Sequence, residues 1–159
     1  MKFISILFII LLCIFQNSCP HLGIDIDIGD YDYHLEMWNN QNMLDYQLEV
    51  YFRDNISKQA IISIKNGIPE SSDPSSWIVS NEKSTVPDFF FFIKDEEEKI
   101  NNESRASLFT AAGYFIVRYD NKYHYPMEIS FASRTTHSDQ SADWIWRINL
   151  IPAEDIEHE

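Results

Sequence analysis

The sequence predicts an α+β domain, an antiparallel sheet of about five strands (a hairpin plus a meander) packed against one or two helices. Three observations predict it. Five segments alternate apolar and polar side chains with a period of two, as half-buried antiparallel strands do. Two others space their apolar residues as helices do. The helical and strand patterns come in blocks rather than in βαβ alternation, which separates α+β from α/β. The chain of 159 residues is about one domain long, and 45% apolar with 23% charged residues is a globular composition. Twelve basic against 25 acidic side chains give a net charge of −13. That charge repels phosphate backbones and excludes nucleic acid as a direct partner.

Residues 1–18 read as an address rather than as part of the fold. Lys2 is their only charge, and Phe3 to Phe15 is apolar apart from Ser5. Thirteen residues are short of the ~20 that span a bilayer, so the pattern is that of a secretory signal. Phe15-Gln16-Asn17-Ser18-Cys19 resembles a loose bacterial lipobox, with small Ser18 before Cys19 and apolar Phe15 upstream. Bulky Leu12 makes Cys13 the poorer candidate. Cleavage after Ser18 and lipidation of Cys19 are therefore expected. Removing residues 1–18, which hold one lysine and no acid, leaves a product of charge −14. Attachment to the membrane then falls to the acyl chains, at ~0.8 kcal/mol per buried CH₂.

Residues 19–33 read as a lipid-attached tether. Ile24 to Ile28 alternates with Asp25 and Asp27 and fits either a short strand or an extended spacer. Asp25, Asp27, Asp30, Asp32 and His34 are the densest set of metal-ligand types. Gly29 stands where an EF-hand needs its third ligand, so no metal site is assigned.

The single domain is expected over residues 34–151. Tyr33 to Met43 reads as a helix anchored by Leu35, Trp38 and Met43. Leu44 to Arg53 is the clearest strand, with Leu44, Tyr46, Leu48, Val50 and Phe52 on one face. A turn at Asp54-Asn55 leads to a second strand ending at Asn66-Gly67, which closes a hairpin. Ile68 to Ser84 reads as an irregular connection in which Trp77-Ile78-Val79 docks on the core. Thr85 and Asp88 form a capping-box pattern that opens the best helix, with Val86, Phe89, Phe90, Ile93 and Ile100 on one face. Tyr114 to Tyr119, Tyr125 to Ala132 and Trp144 to Leu150 complete the meander. Tyr125, Met127, Ile129 and Phe131 are expected on one face of the middle strand, with Pro126 at a strand start or edge. Residues 152–159 form an acidic tail.

The order of these features resembles a known family. Trp38 in a helix is followed by Asp45-Tyr46 opening a strand and Ile64-Lys65-Asn66-Gly67 closing the next. An amphipathic helix and the run from Val117 to Ile129, with Tyr119-Asp120 and Tyr123-His124-Tyr125-Pro126, come after. From about Glu36 to Leu150 this resembles domain of unknown function 6174, a small bacterial domain of secreted proteins and lipoproteins. His124 stands where that family usually has Gly, which implies a backbone position that uses glycine's freedom. The resemblance implies an envelope lipoprotein domain and no catalytic residues.

Candidate ligand-binding residues are Tyr119, Tyr123, His124 and Tyr125, because aromatic rings with one polar end suit recognition surfaces. Packing around the strand turn is the other reading of the same residues. His124 and His137 with Asp139 and Asp143 would suit a hydrolase or a metal-dependent enzyme. No HExxH, paired-Cys, phosphate-loop or nucleophile-elbow motif accompanies them. The expectation is a lipid-anchored, non-enzymatic envelope domain without a cofactor. It would bind an envelope protein or ligand and touch the membrane through its N-terminal lipid. An envelope enzyme and a purely structural accessory are the alternatives.

Overall fold

The computed structural model describes residues 24–54, 56–70, 83–106, 113–133 and 143–156. The chain folds as β1 (Ile24–Asp27), α1 (Tyr31–Gln41), β2 (Tyr46–Arg53), β3 (Ser57–Lys65), β4 (Ile68–Glu70) and α2 (Val86–Ala106). There follow β5 (Gly113–Tyr119), β6 (Pro126–Ser133), β7 (Trp144–Pro152) and the short α3 (Ala153–Ile156). The class is α+β, as expected, but the sheet is larger and mixed. Among the described residues it has seven strands in the order β1-β5-β6-β7-β2-β3-β4.

Two strands account for the difference from an antiparallel sheet of five. Ile24–Asp27 pairs in parallel with β5, from Ile24 opposite Gly113 to Asp27 opposite Ile116. Part of the segment read as a tether is thus an edge strand, and the fold begins well before residue 34. Ile68–Glu70 folds back on β3 as β4, with Lys65 opposite Ile68. Asn66 (φ 51°) and Gly67 (φ 75°) make the two-residue turn, and positive φ at both positions is what a type I′ hairpin needs. The Asn-Gly pair therefore starts a strand where an irregular connection was expected. Trp77-Ile78-Val79 lies outside the described residues.

The two halves of the sheet meet at β2 and β7, which pair antiparallel over their length. Leu48 faces Leu150 and Val50 faces Ile148 across this seam, and all four are buried. The inner face continues through Ile62 and Ile64 on one side and Ile129, Phe115 and Val117 on the other. Both longer helices pack on that face. α1 runs two residues earlier than its pattern suggested and ends where Asn42 turns left-handed. It buries Tyr31 and Trp38, with Leu35 and Met43 half-buried beside them. In α2, Val86, Phe89, Phe90, Ile93 and Ile100 are all buried, as the helical spacing predicts. Asp88 Oδ2 accepts from the backbone N–H of Ser84 (3.0 Å) and Thr85 (2.7 Å) and from the Thr85 hydroxyl (2.7 Å), closing the cap.

Two expected core positions fall outside. Leu44 precedes β2 and is exposed, lying over the Gly67 turn. Met127 is exposed while Pro126 is buried, because the β5–β6 register slips at Arg118/Tyr119. Arg118 opposes Glu128 and Tyr119 opposes Pro126, so Met127 is the extra residue of a bulge and is re-aimed outward. Pro126 opens β6, where its missing N–H is tolerated. Among the described residues no helix is long and apolar enough to cross a membrane.

Candidate functional site

The turn between β5 and β6 carries the four aromatic candidates, and Asp120 organises it. Its carboxylate accepts from the N–H of Lys122 (2.8 Å) and Tyr123, and its carbonyl from the N–H of His124 (3.1 Å). This winding puts His124 at φ 58°. A left-handed conformation is natural for Gly and strained for most other residues.

The four side chains do not converge on one groove. Tyr125 is buried, and its hydroxyl accepts from the Leu150 N–H at 3.3 Å. Tyr119 points the other way and donates to the Ile28 carbonyl at 3.1 Å, which ties the β1–α1 connection to the sheet. Burial raises the pKa of both phenols above the ordinary value, so they remain neutral donors and acceptors. Tyr123 packs against the core, its carbonyl accepts from Gln41 Nε2 (2.8 Å) and the Lys122 ammonium lies over its ring. These three tyrosines hold the turn against α1 and β7.

His124 has a partner that sequence reasoning missed. Its Nδ1 lies 3.3 Å from Nδ1 of His34, on the first full turn of α1. The His34 ring stacks on Tyr119 with centroids 4.1 Å apart and planes 9° from parallel. Tyr33 places its ring at a near right angle to His124, with centroids 5.5 Å apart. Burial, then the neighbouring His124, hold the His34 pKa below the ordinary histidine value, while Asp30 pulls the other way. Two imidazoles, one stacked and one on a strained turn, form the most chemically distinctive cluster among the described residues. Ninety residues separate them in the chain, so no spacing rule finds the pair. The available signal was a histidine at a position suited to glycine.

The other candidates fare differently. Asp143 caps the far end of β6, accepting from the Ser133 N–H at 2.8 Å. It lies roughly 25 Å of strand away from His124, so these two do not share a site. Cys19, His137 and Asp139 lie outside the described residues. Asp27 accepts from the Gly29 N–H at 3.1 Å. Among the described residues no three His, Cys, Asp or Glu side chains come together as a metal cage.

The outer face of the sheet mixes polar side chains with exposed Ile61, Tyr114 and Met127. Glu49, Tyr51, Gln59, Met127, Arg147 and Asn149 line a shallow hollow of about 380 Å³ there. Its charges are paired across strands, Arg147 with Glu128 (3.2 Å) and Asn149 with Glu49 (2.9 Å). Compared with known proteins, the chain matches no family model, no curated protein and no solved structure.

Proposed function

We propose that the protein is an exported bacterial envelope lipoprotein whose α+β domain binds a protein or ligand rather than turning over a substrate. This is the role implied by the resemblance to domain of unknown function 6174. The observation that carries it is Phe15-Gln16-Asn17-Ser18-Cys19 behind a 13-residue apolar run with a single preceding lysine. Four residues separate Cys19 from β1, and the five steps from Cys19 to Ile24 give a span of at most ~18 Å between a lipid-bearing cysteine and the sheet. An anchor that short holds the domain close to the bilayer surface. Its acidic side chains are repelled by anionic headgroups, so attachment depends on the acyl chains.

The structural support for binding over turnover is the use already made of the polar groups. The hydroxyls of Tyr119 and Tyr125 and the Asp143 carboxylate are each engaged in holding the fold. The test is metabolic labelling with a radioactive fatty acid in a bacterial host, comparing the native chain with Cys19→Ala. Label on the native chain and none on Cys19→Ala is expected. Equal labelling of both, or none on either, refutes the anchor.

A further inference from the structure

We propose that His34 and His124 form a two-histidine site for a divalent transition-metal ion of the zinc class, joining α1 to the β5–β6 turn. The two Nδ1 atoms are at hydrogen-bonding distance, 3.3 Å, with the ring centroids 5.3 Å apart, so both nitrogens face the gap between the rings and a bound ion would replace the proton they share. Zinc–imidazole bonds measure about 2.0–2.1 Å. Two nitrogens 3.3 Å apart would then subtend about 104–111° at a shared ion, an angle that a tetrahedral ion accommodates.

The rings are held in this arrangement from several sides. Tyr119 stacks under His34, and its own hydroxyl is fixed on the Ile28 carbonyl. Tyr33 lies edge-on to both imidazoles. The turn that presents His124 is tied down by Asp120 and, through the Tyr123 carbonyl, by Gln41 of α1. His124 also carries left-handed strain, of order 1 kcal/mol or more, at a position where glycine would carry none. The left-handed turn aims the His124 imidazole at that of His34. Since no third ligand side chain gathers there among the described residues, water or an incoming donor completes the tetrahedron.

The test uses the full chain in detergent micelles, without an affinity tag, titrated with Co²⁺ and then with Zn²⁺ as competitor. The chain has five histidines, so a His21→Ala, His137→Ala, His158→Ala variant leaves only this pair. That variant is expected to bind one equivalent, with the intense visible bands of tetrahedral Co²⁺ that Zn²⁺ abolishes. His34→Phe keeps a ring on Tyr119, and His124→Asn keeps a residue that tolerates positive φ. Each is expected to weaken binding by about tenfold or more. Imidazole ¹⁵N shifts of the native chain provide a readout free of substitution, and Zn²⁺ should move the Nδ1 signals of His34 and His124. Absence of binding by the native chain overturns the proposal. So does loss of binding in the triple-alanine variant, affinity unchanged in both single variants, or shifts confined to the other histidines.

Discussion

Four consecutive phenylalanines, Phe89 to Phe92, give the sharpest test of how α2 sits on the sheet. Phe89 and Phe90 are 0% and 1% exposed, whereas Phe91 is 75% exposed. Phe89 meets Trp146 edge-to-face with centroids 5.6 Å apart. Burying a phenylalanine contributes about 1.5–3 kcal/mol, and an aromatic pair adds about 0.5–1.5 kcal/mol. With the cavity left under the helix, Phe89→Ala should lose about 3–5 kcal/mol. That is a large part of the roughly 5–15 kcal/mol that holds a typical domain together. Phe91→Ala removes the same atoms from water-exposed surface and should stay within about 0.5 kcal/mol of the native chain. Urea unfolding followed by tryptophan fluorescence measures both. The Phe89→Ala midpoint should fall by about 2 M or the chain should fail to fold, with Phe91→Ala unmoved and m unchanged. A Phe91→Ala loss as large as that of Phe89→Ala would mean that the helix is rotated, and the packing described above would be wrong.

Three other perturbations have equally definite outcomes. Asp88→Ala leaves three donors of the α2 cap without their acceptor and should destabilise by about 1–2 kcal/mol in the same assay; an unchanged midpoint contradicts the cap. Gly113→Ala would set its Cβ 2.8 Å from the Ala132 carbonyl oxygen, a backbone atom held in the β5–β6 ladder, so a loss of about 1–3 kcal/mol is expected, and a neutral or stabilising effect would refute the close approach. Burial pushes the Tyr46 phenol up to about 12 and raises Tyr31, Tyr119 and Tyr125 as well. Because the fold favours the neutral phenols, their contribution is full below about pH 10 and is lost as pH rises through the folded pKa of Tyr46. Phenolate absorbance and urea midpoints between about pH 9 and pH 12 should show late titration and falling stability; uniform titration of all eight tyrosines near pH 10 would contradict it.

Local chemistry wrote much of this fold directly into the chain. Alternation placed Tyr46, Leu48 and Val50 on the inner face, and helical spacing selected Phe89 and Phe90 over Phe91. Thr85 and Asp88 marked the start of α2 because capping involves residues three apart. These signals are legible because each depends on near neighbours and on a single periodicity.

What lay beyond reach has a common cause. Whether Ile24–Asp27 is spacer or strand depends on the β5 edge it pairs with, about ninety residues on. Met127 turns outward because of a one-residue slip against β5, and alternation within β6 carries no trace of that slip. The join of β2 to β7 is likewise a choice between strand edges that look alike in sequence. The candidate site shows the same division. Tyr119, Tyr123, His124 and Tyr125 stood out as an aromatic turn, but the helix that meets it was a tertiary matter. By itself, then, the sequence determined the α+β class, most of the inner-face positions and the helix cap, all properties of short stretches of chain. Only the tertiary structure decided the seven-strand order, the parallel edge and the meeting of His34 with His124. Those depend on contacts between distant segments, whose free energy no local pattern records.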